Sequence, residues 1–320
     1  MTAESTKIKP KKKGRKRKSL LYRIYQQKYL FIMSVPIVIW LVIFAYIPLF
    51  GWSYAFIKFV PGKPVFQSQF VGFKYFIEMF QDGKFYNALL NTVIMASLSI
   101  VLTCFILPII FALLLNEVKG VAFKRIVQTV SYLPHFVSWV VVAGMFIQFL
   151  SPQSGIFNDF LKSMNLIKEP INFMGVPKYF YAIITSATVW KTLGWNAIIY
   201  ISAMAGVDQE LYEAAAVDGA GRMRKIWNVT LPGIRPTVVI LLVMNIGGLI
   251  NGGFESQMLF SNGLNQEKAQ VLSLYVLNYG IGLMRFSFGT AVGIFTSFVS
   301  FALVLIANFI SKKTTEQALF

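Results

Sequence analysis

The sequence predicts an all-α membrane protein with six spanning helices, and three observations lead there. Charged residues make up 13% of the 320-residue chain. That is about half the roughly 25% of an average globular protein and too little to coat a water-facing surface. Five long runs, 29–57, 85–116, 126–158, 236–254 and 286–311, contain no Asp, Glu, Lys or Arg, and a sixth, 179–207, contains only Lys191. The single Cys104 and single His135 exclude a disulfide within the chain and Cys/His zinc clusters.

A bilayer core takes about 20 apolar residues in helical form, because every backbone polar group must pair inside the segment. The six runs satisfy that length and predict spans at 30–50, 89–115, 133–150, 179–205, 236–254 and 289–310. The chain then divides into a basic tail (1–29), a first span with its outer loop (30–88), a core of five spans (89–310) and a short second tail (311–320). Of the 30 Lys and Arg, twenty fall in alternate segments beginning with the first tail and nine in the opposite set. The excess predicts cytoplasmic N- and C-termini. The run of Lys and Arg between Lys7 and Lys28 is read as a topogenic tail near anionic lipid head groups, not as a nucleic-acid patch. The apolar stretch after it is too long for a cleaved signal peptide.

Machinery for catalysis is missing. No phosphate-cradling loop of the Gly-x4-Gly-Lys-Ser/Thr kind occurs. The glycines Gly247, Gly248, Gly252, Gly253, Gly280 and Gly282 suit close helix packing or interruption in lipid. His135 has no carboxylate inside the runs to relay protons to, and reads as a boundary residue. The site Asn228-Val229-Thr230 fits a glycosylation acceptor, but on the side assigned to the cytoplasm. Every carboxylate lies outside the runs, so coupling to protons or sodium lacks its usual ionisable element. Energy for transport would have to come from a partner.

The segment 206–236 carries the most information. Asp208 can cap a short helix with Glu210 in its first turn. Glu213-Ala214-Ala215-Ala216 continues that helix with small side chains, and Gly219 and Gly221 permit the turn that ends it. A second amphipathic segment, 223–229, runs to Leu231-Pro232, where proline is expected to halt it before the fifth span. Two short helices at an angle would form a compact cytoplasmic knob.

Glu213-Ala214-Ala215, Gly219 and Val229-Thr230-Leu231-Pro232 resemble the Glu-Ala-Ala loop of ABC-importer permeases, with Val229 where that family usually has Ile. The stretch from Glu210 to Ala220 is similar to the carbohydrate-importer branch. So are Ser131-Tyr132-Leu133-Pro134-His135-Phe136, the residues from Trp190 to Asn196, and those from Asn308 to Lys313. The resemblance implies a non-catalytic permease subunit in a bacterial cell membrane, carrying an oligosaccharide through half of a pathway. It implies a second homologous permease, two ATPase subunits that bind ATP and magnesium, and an extracellular solute-binding protein facing 51–88, 150–178 and 255–288. No cofactor is expected in this chain. ATPase coupling is implied for Glu213, Ala214, Ala215, Asp218, Gly219, Leu231 and Pro232. The open alternatives are an importer for an amino acid or anion, and a membrane scaffold or signalling protein.

Lys191 lies about 18 Å into the fourth predicted span at 1.5 Å per residue. A lysine at that depth costs about 2.5–3.5 kcal/mol, so it should face a water-filled cavity or a polar partner. Trp195 shares its face, with Trp190, Asn196 and Tyr200 nearby. Aromatic rings beside amides suit sugars, and a cation would suit acidic ones. These five, with Asn245 and Asn251 of the fifth span, are the candidate pathway residues; an interhelical bond is the plain alternative for Lys191.

Overall fold

The computed structural model describes residues 26–248 and 253–315. The basic tail through residue 25, Asn251 and its neighbours 249–252, and residues 316–320 lie outside the described residues. The chain divides into two compact units, Met1–Ser53 and Tyr54–Phe320.

Helix α1, Lys28–Phe56, supplies the described part of the first unit. An 18-residue stretch of it has a mean hydropathy of 2.6, and none of its side chains through Ser53 is buried. Pro36 lies inside it, and the turn widens at Val42–Tyr46 before tightening after Ile47.

The regular structure of the second unit is helical among its described residues, apart from one isolated bridge between Ile57 and Phe70. Its helices are α2 (Lys74–Gln81), α3 (Gly83–Glu117), α4 (Val121–Tyr132), α5 (Trp139–Phe149) and α6 (Ile156–Ser163). Then come α7 (Phe180–Ala205), α8 (Gln209–Val217), α9 (Arg222–Gly248), α10 (Phe254–Phe260), α11 (Gln266–Ala269), α12 (Leu272–Ile281) and α13 (Phe286–Thr315).

Among the described residues, α1, α3, α9 and α13 are long and apolar enough to cross a membrane. The predicted third span, 133–150, is corrected to a broken one. Pro134 sits in a tight turn, Leu133–Phe136, that ends α4, and α5 leaves at 100° to it. Proline supplies no N–H to continue the ladder, and the Ser138 hydroxyl accepts from Val141 N–H to start the next helix. This bent pair makes a fifth crossing if it counts as one. Helix α7 has 26 residues, enough to cross, but is too polar to belong to that set. Its surroundings explain the polarity: ten of its residues, Lys191 included, are buried against protein.

The second correction concerns Pro232. It does not halt the chain; a single helix runs from Arg222 to Gly248. The turn opens over Ile226–Thr230 immediately before it. A widened turn shifts the hydrogen-bond ladder by one residue and absorbs the N–H that Pro232 lacks.

Three apolar cores hold the second unit. One surrounds Val142, Phe180, Ile184, Phe260 and Leu274, joining α5, α7, α10 and α12. Another surrounds Met79, Phe85, Tyr275, Phe288 and Val292 on α2, α3, α12 and α13. The third joins the latter halves of α3 and α7 to the middle of α9 through Phe105, Ala112, Tyr200, Met204 and Ile234. In lipid the gain from such cores is close packing more than removal from water. Gly280 and Gly289 illustrate it: a Cβ on Gly280 would lie 2.8 Å from the Gly289 Cα, so α12 and α13 meet backbone to backbone.

Candidate functional site

Helix α8 forms one wall of the knob. The Asp208 carboxylate accepts from Glu210 N–H at 3.0 Å and caps its start. Its end is closed by Ala220 N–H donating to Ala215 C=O (2.9 Å) and Gly219 N–H to Ala216 C=O (3.1 Å). That pairing needs a left-handed residue after the helix, and Gly219 supplies it at φ +73°. The spacing between Glu213 and Gly219 is thus the length of the last helical turn plus its cap. Glu213, Ala214 and Asp218 are exposed, Ala215 half-buried, Leu231 half-buried and Pro232 exposed. Glu213 makes no ion pair among the described residues.

Two contacts hold α8 and the residues leading into it against α9. The Tyr212 and Thr230 hydroxyls hydrogen-bond at 2.9 Å, with Thr230 2% exposed. At Gly233 a Cβ would lie 2.6 Å from Val207 Cγ2, so glycine lets the entering chain approach α9. Arg222, at the start of α9, lies 3.9 Å from the Glu117 carboxylate at the end of α3. Tyr212 escaped the sequence reading because a tyrosine beside Glu-Ala-Ala carries no signal of a partner 18 residues away.

A cavity of about 320 Å³ opens between α3, α5, α7, α9 and α10. Its polar wall comprises Thr92, Ser99, Cys104, Thr188, Asn245, Ser256 and Gln257, and its apolar wall includes Trp139, Met95 and Met244. No charged side chain lines it among the described residues. Gln257 is 3% exposed, and its Oε1 has no hydrogen-bond partner among the described residues. The arrangement offers hydroxyls and amides with one indole face, a lining able to hydrogen-bond to and stack on a hydroxyl-rich surface.

Of the pathway residues expected from sequence, Asn245 lines this cavity, donating to Leu241 C=O (2.8 Å) and accepting from the Cys104 thiol (3.5 Å). The others lie elsewhere. Helix α3 widens over Ser99–Ile106, and α7 binds carbonyls of that segment. Asn196 Nδ2 donates to Thr103 C=O (2.7 Å) and the Tyr200 hydroxyl to Cys104 C=O (2.8 Å). Lys191, 7% exposed, donates to the carbonyls of His135 (2.7 Å), Val137 and Pro134 (3.4 Å) at the break between α4 and α5. Trp195 stacks on His135 with centroids 4.3 Å apart and planes 2° from parallel. Trp190 meets Phe146 edge-on at 6.2 Å. Asn251 lies outside the described residues. Trp139, Thr92, Ser99, Thr188 and Ser256 were missed. For Thr92, Ser99 and Thr188 the one signal that could have found them is a hydroxyl inside an apolar run; Trp139 and Ser256 carry none.

Residues 104–316 match the family described as binding-protein-dependent transport system inner membrane component. The chain is 40% identical over 302 residues to protein LplB of Bacillus subtilis (strain 168), covering 94% of each chain. It is 39% identical over 308 residues to the polygalacturonan/rhamnogalacturonan transport system permease protein YteP of the same organism, covering 96% of this chain and 95% of that one. Among solved structures, it resembles a chain of a bacterial alginate ABC transporter in complex with alginate pentasaccharide-bound periplasmic protein. The TM-score is 0.86 at 36% identity, covering 94% of this chain and 99% of that one.

Proposed function

The chain belongs to the binding-protein-dependent transport system inner membrane component family, and we propose that it is the permease subunit of an ATP-driven importer for oligosaccharides released from polysaccharides. It supplies half of the pathway, beside a second homologous permease. Two ATPase subunits, which bind the ATP and magnesium, dock on the knob, and a solute-binding protein delivers the sugar to the outer loops. The protein sits in a bacterial cell membrane with both termini in the cytoplasm and six crossings, α7 being the sixth.

One observation carries this reading: α9 is a single helix from the knob to the cavity. Arg222 begins it, and Met244, Asn245 and Gly248 line the cavity near its other end. Those 23 residues to Asn245 span about 34 Å at 1.5 Å each. Motion of the knob as the ATPases close therefore reaches the sugar-facing wall through a stiff rod. The substrate class is supported by the hydroxyl, amide and indole lining, which fits a sugar's hydroxyls and C–H face, and by the sugar-polymer transport named for the similar proteins.

The test is the importer complex purified through this chain, with its binding protein and oligogalacturonides as probe. ATP hydrolysis is expected to rise on adding loaded binding protein, and Glu213→Lys to abolish that rise while the permease stays inserted. Full stimulation in Glu213→Lys, or none in the wild type, would refute the proposal.

A further inference from the structure

Resting on the permease reading above, we infer that Lys191 is a positioning residue for transport: its ammonium pins the break between α4 and α5 and so fixes Trp139 in the cavity wall. The break frees backbone carbonyls that the buried Lys191 covers, and each needs a donor. An ammonium has three N–H donors. All three acceptors of Lys191 are carbonyls of the break, those of Pro134, His135 and Val137. None of its donors is left for a sugar, and it does not line the cavity.

The same ammonium lies 5.6 Å from the centroid of the Trp139 ring, a cation–π contact. Trp139 is the first residue of α5 and part of the cavity wall. Lys191 therefore holds both the chain entering α5 and the ring that α5 presents. Its neighbours on the same face of α7, three and four residues on, complete the joint. Gly194 lies directly against the Ser131 backbone, where a Cβ would collide, and Trp195 stacks on His135. Helix α4 leads from this joint back to Glu117 through three residues, and Glu117 faces Arg222 at the knob end of α9. The joint thus stands between the knob and the indole face.

Ligand handling separates this role from plain stabilisation of the fold. A purely structural lysine, once removed, lowers the amount of assembled complex but leaves the KM of the remainder unchanged. In the purified complex with binding protein and oligogalacturonides, Lys191→Met is expected to raise the KM of stimulated ATP hydrolysis about tenfold per assembled complex. Trp139→Ala should do the same, and the double variant should be no worse than the worse single, because both remove one arrangement. Lys191→Arg, which keeps charge and donors, should restore KM to within about threefold of wild type. An unchanged KM in Lys191→Met, or losses that add in the double variant, would overturn the inference. If Lys191→Met does not assemble, Lys191→Gln replaces it; a wild-type KM in that variant, or a defect in Lys191→Arg as large as its own, also overturns it. Absent stimulation in the wild type would instead defeat the transport reading itself.

Discussion

The hydroxyls of Tyr212 and Thr230 meet at 2.9 Å and tie the short helix of the knob to the long helix that reaches the cavity. Thr230 is 2% exposed, so its partner is not readily replaced by water. Tyr212→Phe is expected to cost about 1 kcal/mol, the net value of one such bond. It should also loosen coupling, so that more ATP is hydrolysed per sugar imported. Measuring that ratio in proteoliposomes checks it; a wild-type ratio would mean the tie is not part of the lever.

Gly219 sits at φ +73° in the cap of α8. A Cβ would meet nothing within 4 Å there, so any penalty is conformational. Gly219→Val is expected to cost about 1–2 kcal/mol and to displace the knob, whereas Gly219→Asn should remain close to wild type. Stimulated ATP hydrolysis is the readout. Equal behaviour of the two variants would show that the left-handed cap does not matter.

Gly194 and Gly221 make a contrasting pair. A Cβ at Gly194 would enter the Ser131 backbone, while at Gly221 it would meet nothing within 4 Å. Gly194→Ala should reduce the yield of folded permease through overpacking of about 1–3 kcal/mol, and Gly221→Ala should not. Size-exclusion profiles of the two variants in detergent decide this.

Gln257 points at a trade between stability and use. Its buried Oε1 lacks a partner among the described residues, a condition that costs about 1–3 kcal/mol. Gln257→Met, similar in volume and without that oxygen, should raise the thermal unfolding temperature while raising the KM for sugar. A lower unfolding temperature would mean the oxygen is satisfied in the working protein.

The sequence by itself determined the membrane environment, the helical class and the short first helix of the knob. Each of these is written in local terms: the absence of charge over 20 residues, a capping aspartate at Asp208, and a glycine at the one position whose backbone must turn left-handed. The tertiary structure decided what Lys191, Asn196 and Tyr200 do. From sequence a lysine at mid-span implied water or a polar partner, and the open question was which. Their partners are carbonyls released where Pro134 breaks one helix and where the turn of another widens over Ser99–Ile106. Such releases depend on packing between helices far apart in the chain, so no local pattern announces them. Pro232 teaches the same lesson in reverse. The rule that proline stops a helix treats the ladder as rigid, and a widened turn beside it lets a single rod run from knob to cavity.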